Sequence, residues 1–219
     1  MEQSFAKSII RRKMIQKRNV LSHEETLHFG NIVASFILEL TKYKKCKSIM
    51  VYFPKDNEID TGKIISHSFM YGKRVIFPRY NSQNGGLEAR SVCCVDRDLS
   101  PGSFGIMEPE SGNSEIVSLQ DIELILIPCV AVNKQGYRIG RGGGCYDRFL
   151  SFAGKHNCKI GLVYDFQYVT DFEVQEHDIP LDMIISNKGI RHFEKTSLIE
   201  LRKSDKYKKE RCNNGKFIY

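Results

Sequence analysis

Residues 125–150 read ILIPCVAVNKQGYRIGRGGGCYDRFL, and most of the expected architecture follows from them. The stretch begins as a buried strand, continues as a glycine-rich basic loop, and ends as the start of a helix. Glycines at 140, 142, 143 and 144 remove side chains where the backbone must come close to another group. Arg138 and Arg141 place two positive charges on the loop, and Asp147 adds a carboxylate after it. Backbone amides and a helix N-terminus hold anions well, so the pattern suits a polyphosphate with its metal ion.

Two other interpretations of this loop stay open from its residues alone. It is not a Walker loop, because no Gly-Lys-Ser/Thr follows, and it lacks the G-x-G-x-x-G spacing of a dinucleotide fingerprint. The glycines are compatible with a flexible surface turn, and the Arg-Gly-Gly run is compatible with a contact to RNA. A ligand site is favoured because an apolar strand precedes the loop and Tyr146 and Asp147 open the next helix. In open α/β sheets, ligands bind beyond the carboxyl ends of the strands, where this loop would lie.

The composition is that of an ordinary globular domain with a basic C-terminal end. The chain has 219 residues, of which 41% are hydrophobic and 27% are charged, and no linker or repeat divides it. Residues 202–216 carry seven basic and two acidic side chains, a net of +5 that leaves only +2 of the formal +7 elsewhere. We therefore expect no nucleic-acid binding. The predicted organisation is one domain over residues 1–201 and a basic, flexible tail over residues 202–219.

The cysteine and apolar patterns indicate a reducing compartment and no membrane insertion. Seven cysteines without a C-x-x-C pair argue for free thiols and against a structural zinc site. No apolar stretch approaches the roughly 20 residues that a membrane-spanning helix needs. We expect a cytoplasmic monomer. Because the N-terminus carries basic residues, a presequence directing the chain to the mitochondrial matrix is the alternative.

Predicted strands alternate with predicted helices along the chain. Apolar residues at helical spacing indicate a first helix over residues 5–14, and a capping box of Ser22 and Glu25 starts a second that runs toward Tyr43. Further helices are predicted over residues 60–72, 146–156 and 196–203, and strands over residues 48–53, 74–77, 87–95, 122–127, 159–164 and 183–185. This alternation predicts a three-layer α/β/α fold with a mostly parallel central sheet in a single domain.

Basic residues gather on one face of the first predicted helix. Lys7 and Arg11 are one turn apart, and Arg18 follows on the same face. A solvated basic face is one interpretation of this pattern. The other is a clamp on an anion that also contacts a second part of the fold.

Further candidates follow the predicted strands. Glu58 would accept hydrogen bonds from a donor-rich heterocycle with Tyr52 or Phe53 packed on its ring, or it would simply cap the next helix. Arg79 would hold a carboxylate or phosphate, or would form a structural ion pair. The turn-rich segment 102–109 would form a pocket lid or a packed loop.

Several motifs occur together in one order, and each alone would be weak. Beside Lys7 and Arg11 they comprise YFPKDNEIDT at 52–61, FPRY at 77–80, FGIMEP at 104–109, the IP…GYRIGRGGGCYDR block ending at 148, IGLVYDFQ at 160–167 and HDIPLD at 177–182. In this order they make the chain resemble the 5-formyltetrahydrofolate cyclo-ligase family, also called 5,10-methenyltetrahydrofolate synthetase. The resemblance extends over residues 7–187.

The resemblance implies an ATP- and magnesium-dependent ligase that forms a carbon–nitrogen bond in one-carbon metabolism. It would convert 5-formyltetrahydrofolate to 5,10-methenyltetrahydrofolate with release of ADP and phosphate. Phosphorylation would turn the formyl oxygen into a leaving group, and nitrogen 10 would then attack the formyl carbon. Positioning and charge neutralisation should dominate such catalysis. The implied partners are these two small molecules.

The resemblance also implies roles for individual residues. Arg138 and Arg141 would be catalytic, Asp147 would bind magnesium, and Arg79 is a weaker substrate candidate. ATP would contact Lys7, Arg11, Arg138, Ile139, Gly140, Arg141, Gly142, Gly143, Gly144, Cys145, Tyr146 and Asp147. The folate would contact Tyr52, Phe53, Glu58, Phe104, Ile106 and Tyr146.

The chain departs from the family pattern in four places. Cys145 replaces the first of two tyrosines, and Val132-Asn133 replaces Phe-Asp. If the missing carboxylate contributes to magnesium binding, metal affinity should fall. A proline common in the family is absent from residues 171–173, and the basic tail has no counterpart.

Two functions of other classes compete with the active enzyme. A non-catalytic homologue would only sequester 5-formyltetrahydrofolate. It would not need the residues expected to bind phosphate and its metal ion, which are Lys7, Arg11, Arg138, Arg141 and Asp147. An RNA-binding module would use the loop and the tail, but the chain lacks aromatic stacking platforms at a recognised spacing.

Overall fold

An eight-stranded sheet forms the centre of the computed structural model, which describes residues 2–194. The helices are α1 (Glu2–Asn19), α2 (His23–Glu39), α3 (Thr41–Lys45), α4 (Gly62–Met70), α5 (Val95–Asp98) and α6 (Cys145–Leu150). The strands are β1 (Ser48–Met50), β2 (Arg74–Asn81), β3 (Gly86–Val92), β4 (Leu99–Pro101), β5 (Met107–Pro109), β6 (Glu115–Ile116), β7 (Leu124–Pro128), β8 (Ala131–Val132), β9 (Arg138–Ile139), β10 (Cys158–Leu162), β11 (Met183–Ser186) and β12 (Gly189–His192). Short 3-10 turns occupy Ser103–Gly105, Leu119–Asp121 and Asp165–Gln167.

The strand order of the main sheet is β12-β11-β10-β7-β1-β2-β3-β6. The five strands from β11 to β2 are parallel, whereas β12, β3 and β6 pair antiparallel at the edges. From β1 the chain proceeds to β2 on one side, and from β7 it proceeds to β10 and β11 on the other. The carboxyl ends of β1 and β7 therefore flank a topological switch point, where open α/β sheets bind ligands.

The two faces of the sheet bury separate apolar clusters. Ile49 packs with Val33 of α2 and Ile64 of α4, while its neighbour Met50 points to the opposite face and packs with Leu150 of α6. This alternation is expected of strands covered on both faces. The α/β class, the mostly parallel sheet and the single domain are confirmed.

The local capping signal predicted the start of helix α2 correctly. The Ser22 side chain accepts from the Glu25 amide while the Glu25 carboxylate accepts from the Ser22 amide, which completes the predicted capping box of α2. However, α2 ends at Glu39, and a separate α3 carries the chain to Lys45. Helix α4 lies within the predicted range.

Other predicted boundaries were wrong. Strand β2 continues through Pro78. The Ile76 carbonyl accepts a hydrogen bond from the amide of Val51, just after β1, and the nitrogen of Pro78 points toward the same neighbour but beyond the end of β1. Its missing N–H therefore breaks no ladder. Helix α6 ends at Leu150, and the Asn157 side chain holds the following turn by accepting from the Gly154 amide. The predicted helix 196–203 and the tail 202–219 lie outside the described residues.

The hairpin of β8 and β9 was missed, because strands of two residues carry no detectable period. No helix within residues 2–194 has the length and apolarity that a membrane span requires.

Candidate functional site

The candidate site lies at the switch point, between the loop after β1 (residues 51–61) and the segment after β7 (residues 129–147). Helix α1 contacts both: Arg11 Nε donates to the Gly140 carbonyl at 2.8 Å, and Arg18 Nε donates to the Asp56 carbonyl at 2.8 Å. The residues predicted to bind phosphate and the residues predicted to bind a heterocycle therefore lie at one edge of the sheet.

The missed hairpin positions Arg138. Asn133 Oδ1 accepts from the amides of Gln135 and Tyr137, and Gly136 takes a φ of 84° that completes the turn. Asn133 is fully buried in this turn. Its observed task is thus to close the hairpin, and an aspartate oxygen could accept the same two hydrogen bonds. The expectation that this departure lowers metal affinity stays a prediction.

Arg138 is a buried arginine with two partners. Its Nη1 donates to the Ile179 carbonyl at 2.8 Å, and its Nη2 lies 2.9 Å from Asp147 Oδ1, an ion pair without hydrogen-bond alignment. The Ile179 amide also donates to Asp147 Oδ1 at 3.1 Å. Arg138 therefore fixes Asp147 against the segment that contains Ile179. The adjacent Ile139 is buried in the third apolar cluster, together with Met14 of α1.

The glycine loop needs glycine at two positions for backbone reasons. Gly142 and Gly144 have φ values of 119° and 64°, which side chains disfavour. A Cβ on Gly142 would lie 3.8 Å from Arg11 Cζ, so the loop and α1 approach each other closely there. Gly142 and Gly143 are exposed, which leaves this part of the loop accessible.

Lys7 does not lie on a solvated basic face. Its Nζ donates to Asp178 Oδ2 at 2.6 Å and lies 5.8 Å from the centre of the Phe172 ring. Phe172 is itself buried in the third apolar cluster, in the segment that lacks the family's proline. By contrast, His177 is largely exposed beside Asp178.

Arg141 contacts the turn after β1. Its Nη1 donates to Asp56 Oδ2 at 2.8 Å, and its Nη2 donates to Glu58 Oε1 at 2.9 Å and to the Lys55 carbonyl at 3.2 Å. Arg141 was assigned to ATP and Glu58 to the folate, so the structure brings residues of the two predicted sites into direct contact.

Glu58 does not cap helix α4. The Gly62 amide at the start of that helix donates instead to Asp60 Oδ1 at 3.0 Å. The buried carboxylate of Glu58 accepts from the Lys55 amide at 3.2 Å, and its Oε1 lies 3.8 Å from Arg18 Nη1. Arg18 and Asp56, which the sequence interpretation did not include, also contact these candidate residues, although the helical position of Arg18 on the Lys7 and Arg11 face was an available signal.

Two tyrosines surround Glu58 on the inner side of the site. Tyr52 is buried, and its hydroxyl donates to the Ile59 carbonyl at 3.1 Å. Tyr146 is partly buried against the second apolar cluster. Burial and the nearby Glu58 carboxylate raise the pKa of both tyrosines. They are therefore neutral at ordinary pH. Phe53 packs against the first cluster and keeps partial exposure.

The segment 102–109 lies over the β2 side of the site. Phe104 is 67% exposed with a φ of 59°, and its ring meets Tyr80 edge-on at 5.1 Å. Lys55 Nζ donates to the Phe104 carbonyl, which connects this segment to the β1 turn. Ile106 is partly buried. The open face of Phe104 suits a lid better than a packed loop.

Arg79 has a structural partner. Its Nη1 donates to the Pro109 carbonyl at 2.6 Å, which anchors the end of segment 102–109. The neighbouring Glu108 carboxyl is buried, and burial raises its pKa.

Cys145 begins α6 beside the glycine loop. Its Sγ lies 3.6 Å from the Gly85 carbonyl and 3.6 Å from Arg148 Nη2. Arg148 Nη1 also donates to the Gly143 carbonyl at 3.0 Å, so the loop is tied to the helix that follows. The thiol is partly exposed, in contrast to the buried Cys129, whose pKa burial raises to about 12.

The donor set fits a magnesium ion that arrives with phosphates. Residues 2–194 contain no group of three His, Cys, Asp or Glu side chains able to hold a metal alone. Asp147 offers one carboxylate, whose Oδ1 meets Arg138 and the Ile179 amide. Magnesium commonly uses one or two carboxylates together with substrate phosphates and water.

Comparisons with known proteins agree with this arrangement. A sequence model described as the 5-formyltetrahydrofolate cyclo-ligase family matches residues 3–187. The 5-formyltetrahydrofolate cyclo-ligase of Haemophilus influenzae is 31% identical over 150 residues, covering 68% of this chain and 80% of that protein. The protein of the same name from Mus musculus is 28% identical over 188 residues, covering 82% of this chain and 93% of that protein.

Solved structures extend the similarity to the fold. The structure of Aquifex aeolicus 5,10-methenyltetrahydrofolate synthetase has a TM-score of 0.76 and 32% identity, over 88% of this chain and 95% of that chain. The Mycoplasma pneumoniae 5,10-methenyltetrahydrofolate synthetase has a TM-score of 0.67 and 27% identity, over 83% and 98%. The chain therefore belongs to the 5-formyltetrahydrofolate cyclo-ligase family.

Proposed function

We propose that this chain converts 5-formyltetrahydrofolate to 5,10-methenyltetrahydrofolate at the expense of ATP, with magnesium, releasing ADP and phosphate. The observation that carries the proposal is the contact between Arg141 of the glycine loop and Glu58 of the β1 turn at 2.9 Å. A residue suited to phosphate and a residue suited to a donor-rich ring thus share one site, as transfer from one substrate to the other requires.

The phosphate side of the proposed site is formed by α1 and the glycine loop. Arg11 donates to Gly140, and Gly142 and Gly143 expose backbone to an incoming triphosphate. Lys7 and Arg138 are paired with Asp178 and Asp147, so they enter the proposal as fixed charges at its border. Arg141 is 38% exposed and is the arginine that we assign to the transferred phosphoryl group.

The folate side is formed by the β1 turn and segment 102–109. Glu58 is assigned to the N–H groups of the pterin ring, since a carboxylate accepts from adjacent donors. Phe104 and Ile106 are assigned to the walls of the pocket, with Tyr146 and Phe53 beside them. Tyr52 is only 3% exposed and its hydroxyl donates to the Ile59 carbonyl, so we assign it to the support of the β1 turn next to Glu58.

The chemistry requires little acid or base from the protein. The formyl oxygen attacks the γ-phosphorus of ATP and ADP leaves, giving an imidate-like phosphate. Nitrogen 10 attacks the former formyl carbon and loses its proton, and the C–O bond breaks as phosphate departs. Arg141 and Arg138 would offset the charge that spreads over the phosphoryl oxygens. Positioning and fixed charge are the contributions that we assign to the protein in both steps.

Asp147 is the residue that we assign to magnesium. Bound magnesium neutralises phosphate charge and orients the triphosphate. Arg138 holds the Asp147 carboxylate at the border of the glycine loop through the 2.9 Å ion pair, so its direction is set before any ligand arrives.

The decisive experiment is a spectrophotometric assay with purified protein, 5-formyltetrahydrofolate and Mg-ATP. We expect methenyl absorbance that depends on both substrates, with ADP formed in equal amount. A folded protein that binds 5-formyltetrahydrofolate but produces no methenyl absorbance would be a sequestering homologue and would contradict the enzyme proposal.

Thiol labelling tests the ATP part of the proposal. Mg-ATP at ten times its Kd should slow alkylation of Cys145 about tenfold, because the occupied loop covers the thiol. Cys93 and Cys94 are exposed and serve as internal controls whose labelling should not change. Peptide mapping by mass spectrometry gives all three rates. Equal rates at Cys145 with and without Mg-ATP would contradict nucleotide binding at the loop.

The domain limit is also a proposal. A variant ending at residue 201 should keep nearly all turnover and both KM values, because the assigned site residues lie between residues 7 and 147. Steady-state kinetics of the shortened and full chains measure this. A large loss of turnover in a well-folded shortened chain would show that residues 202–219 contribute to the site.

The proposed enzyme is a cytoplasmic monomer without nucleic-acid or membrane partners. Seven cysteines without a C-x-x-C pair in the sequence support a reducing compartment. Light scattering of the purified protein tests the oligomeric state.

A further inference from the structure

Arg18 is a charged residue buried where the assigned folate and phosphate sides meet. Its side chain is 1% exposed and one of its nitrogens, Nη2, has no hydrogen-bond partner among the described residues. Burial lowers the pKa of this guanidinium, and the Glu58 carboxylate opposes that effect. A buried cation with an unmade hydrogen bond destabilises a fold, so its presence points to a task other than stability.

Glu58 lies between two arginines that differ in accessibility. Arg141 contacts Glu58 Oε1 from the exposed side at 2.9 Å, and Arg18 lies 3.8 Å from the same oxygen on the buried side. Arg141 also donates to the Asp56 carboxylate and to the Lys55 carbonyl in the exposed turn after β1, and exposed ion pairs are weak. It can therefore exchange these partners for a phosphoryl group. Arg18 has no such freedom, because its Nε is committed to the Asp56 carbonyl.

We propose that Arg18 is a positioning residue for the cyclo-ligase reaction, the fixed counter-ion that keeps the Glu58 carboxylate oriented toward the folate when Arg141 moves to the phosphoryl group. The proposal rests on the proposed function. Arg18 itself is assigned to neither substrate, because its side chain is only 1% exposed.

The same helix end also fixes the backbone that carries Glu58. Asp56 and Asn57 adopt left-handed φ values of 49° and 55°, a conformation that is uncommon for non-glycine residues but that Asp and Asn adopt more readily than most others. Asn57 Nδ2 donates to the carbonyls of Arg18 and Leu21, and Arg18 Nε donates to the Asp56 carbonyl. The end of α1 therefore holds the turn from both sides, and the direction of the Glu58 carboxylate follows from it.

The counter-ion role predicts a selective kinetic defect. Without the Arg18 charge, the Glu58 carboxylate would have neither of these two arginine partners as Arg141 leaves, and its hydrogen bonds to the folate would weaken. Hydrogen bonds to charged groups correspond to about a tenfold change in affinity or more. No equivalent change is expected for ATP, which is assigned to the opposite side of the site.

The experiment uses the full chain and compares R18Q with R18K. R18Q should raise the KM for 5-formyltetrahydrofolate about tenfold or more and change the KM for ATP less than about twofold. R18K keeps the charge but loses the planar donor set, so it should lie between wild type and R18Q. R12Q is the matched control on the exposed face of α1 and should behave as wild type.

The outcomes separate positioning from a purely structural role. A selective folate defect in R18Q with partial rescue in R18K supports the proposal, whereas equal changes in both KM values, or no change, overturn it. Should R18Q be insoluble, R18K provides the test. A rise in its KM for 5-formyltetrahydrofolate relative to its KM for ATP supports the proposal, and an unchanged ratio overturns it. If wild type lacks turnover, the proposed function fails, and calorimetric binding of 5-formyltetrahydrofolate to wild type and R18K still tests the role of Arg18.

Discussion

Replacing Arg141 with alanine is expected to lower kcat about 10²–10³-fold, because one donor to the developing charge on the phosphoryl group is lost. Binding of 5-formyltetrahydrofolate should change far less, by about threefold at most. In the empty site Arg141 occupies Glu58 Oε1, so its removal also removes a competitor for the folate acceptor. Single-turnover kinetics give the chemical step, and calorimetry gives the folate Kd.

The fold should tolerate this substitution. The exposed pair of Arg141 with Asp56 contributes at most about 1 kcal/mol, and the buried Glu58 carboxylate keeps Arg18 at 3.8 Å after the substitution. The matched control is D56N, which removes the Asp56 charge that pairs with Arg141 but leaves the arginine in place. This variant should keep kcat within a few-fold of the wild-type value. Equal losses of kcat and of folate affinity in R141A would mean that the glycine loop only supports the fold.

Replacing Arg138 with methionine should affect stability as well as activity. Arg138 is 2% exposed, so its loss would leave the Asp147 carboxylate without its cation and the Ile179 carbonyl without its donor. Breaking a buried ion pair by removing one partner costs about 3–5 kcal/mol. For a domain of this size the Tm should fall by roughly 6–20 °C. The KM for ATP should rise because Asp147 is no longer held in place.

A second ion pair with restricted exposure provides the control for this effect. Lys159 Nζ lies 3.3 Å from Asp182 Oδ2, near the amino end of β10 and at the opposite edge of the sheet from the candidate site. K159M should lower the Tm without changing the KM for ATP. An R138M protein with wild-type Tm and wild-type kinetics would show that the Arg138–Asp147 pair contributes to neither stability nor the site.

The general fold could be read from local patterns because those patterns have local causes. Residues 124–128 are apolar throughout, as a strand buried on both faces requires. Ser22 and Glu25 start α2 because the side chain of each accepts a hydrogen bond from the backbone amide of the other. The end of strand β2 was predicted wrongly, and the hairpin of β8 and β9 was missed. Whether Pro78 breaks a ladder depends on where β1 ends, and that is a property of the assembled sheet.

The candidate site was only half predictable for a similar reason. Residue types and the order of the motifs indicated which segments converge. They did not indicate that Lys7 pairs with Asp178, that Arg79 binds a backbone carbonyl, or that Arg18 lies beneath Glu58. Each of these contacts joins segments distant in sequence, and an arginine has the same local signature whether its partner is a ligand, a carboxylate or the backbone.

Arg138 and Arg141 illustrate the division. The order of residues is enough to predict that two arginines, a glycine run and an acidic residue follow an apolar strand, and therefore that an anion-binding loop lies at the carboxyl edge of a parallel sheet. The folded chain was needed to show that Arg138 is buried against Asp147 while Arg141, three residues later, contacts Glu58. Burial and ion pairing depend on the hairpin and on the turn after β1, because these meet the loop only when the sheet is formed.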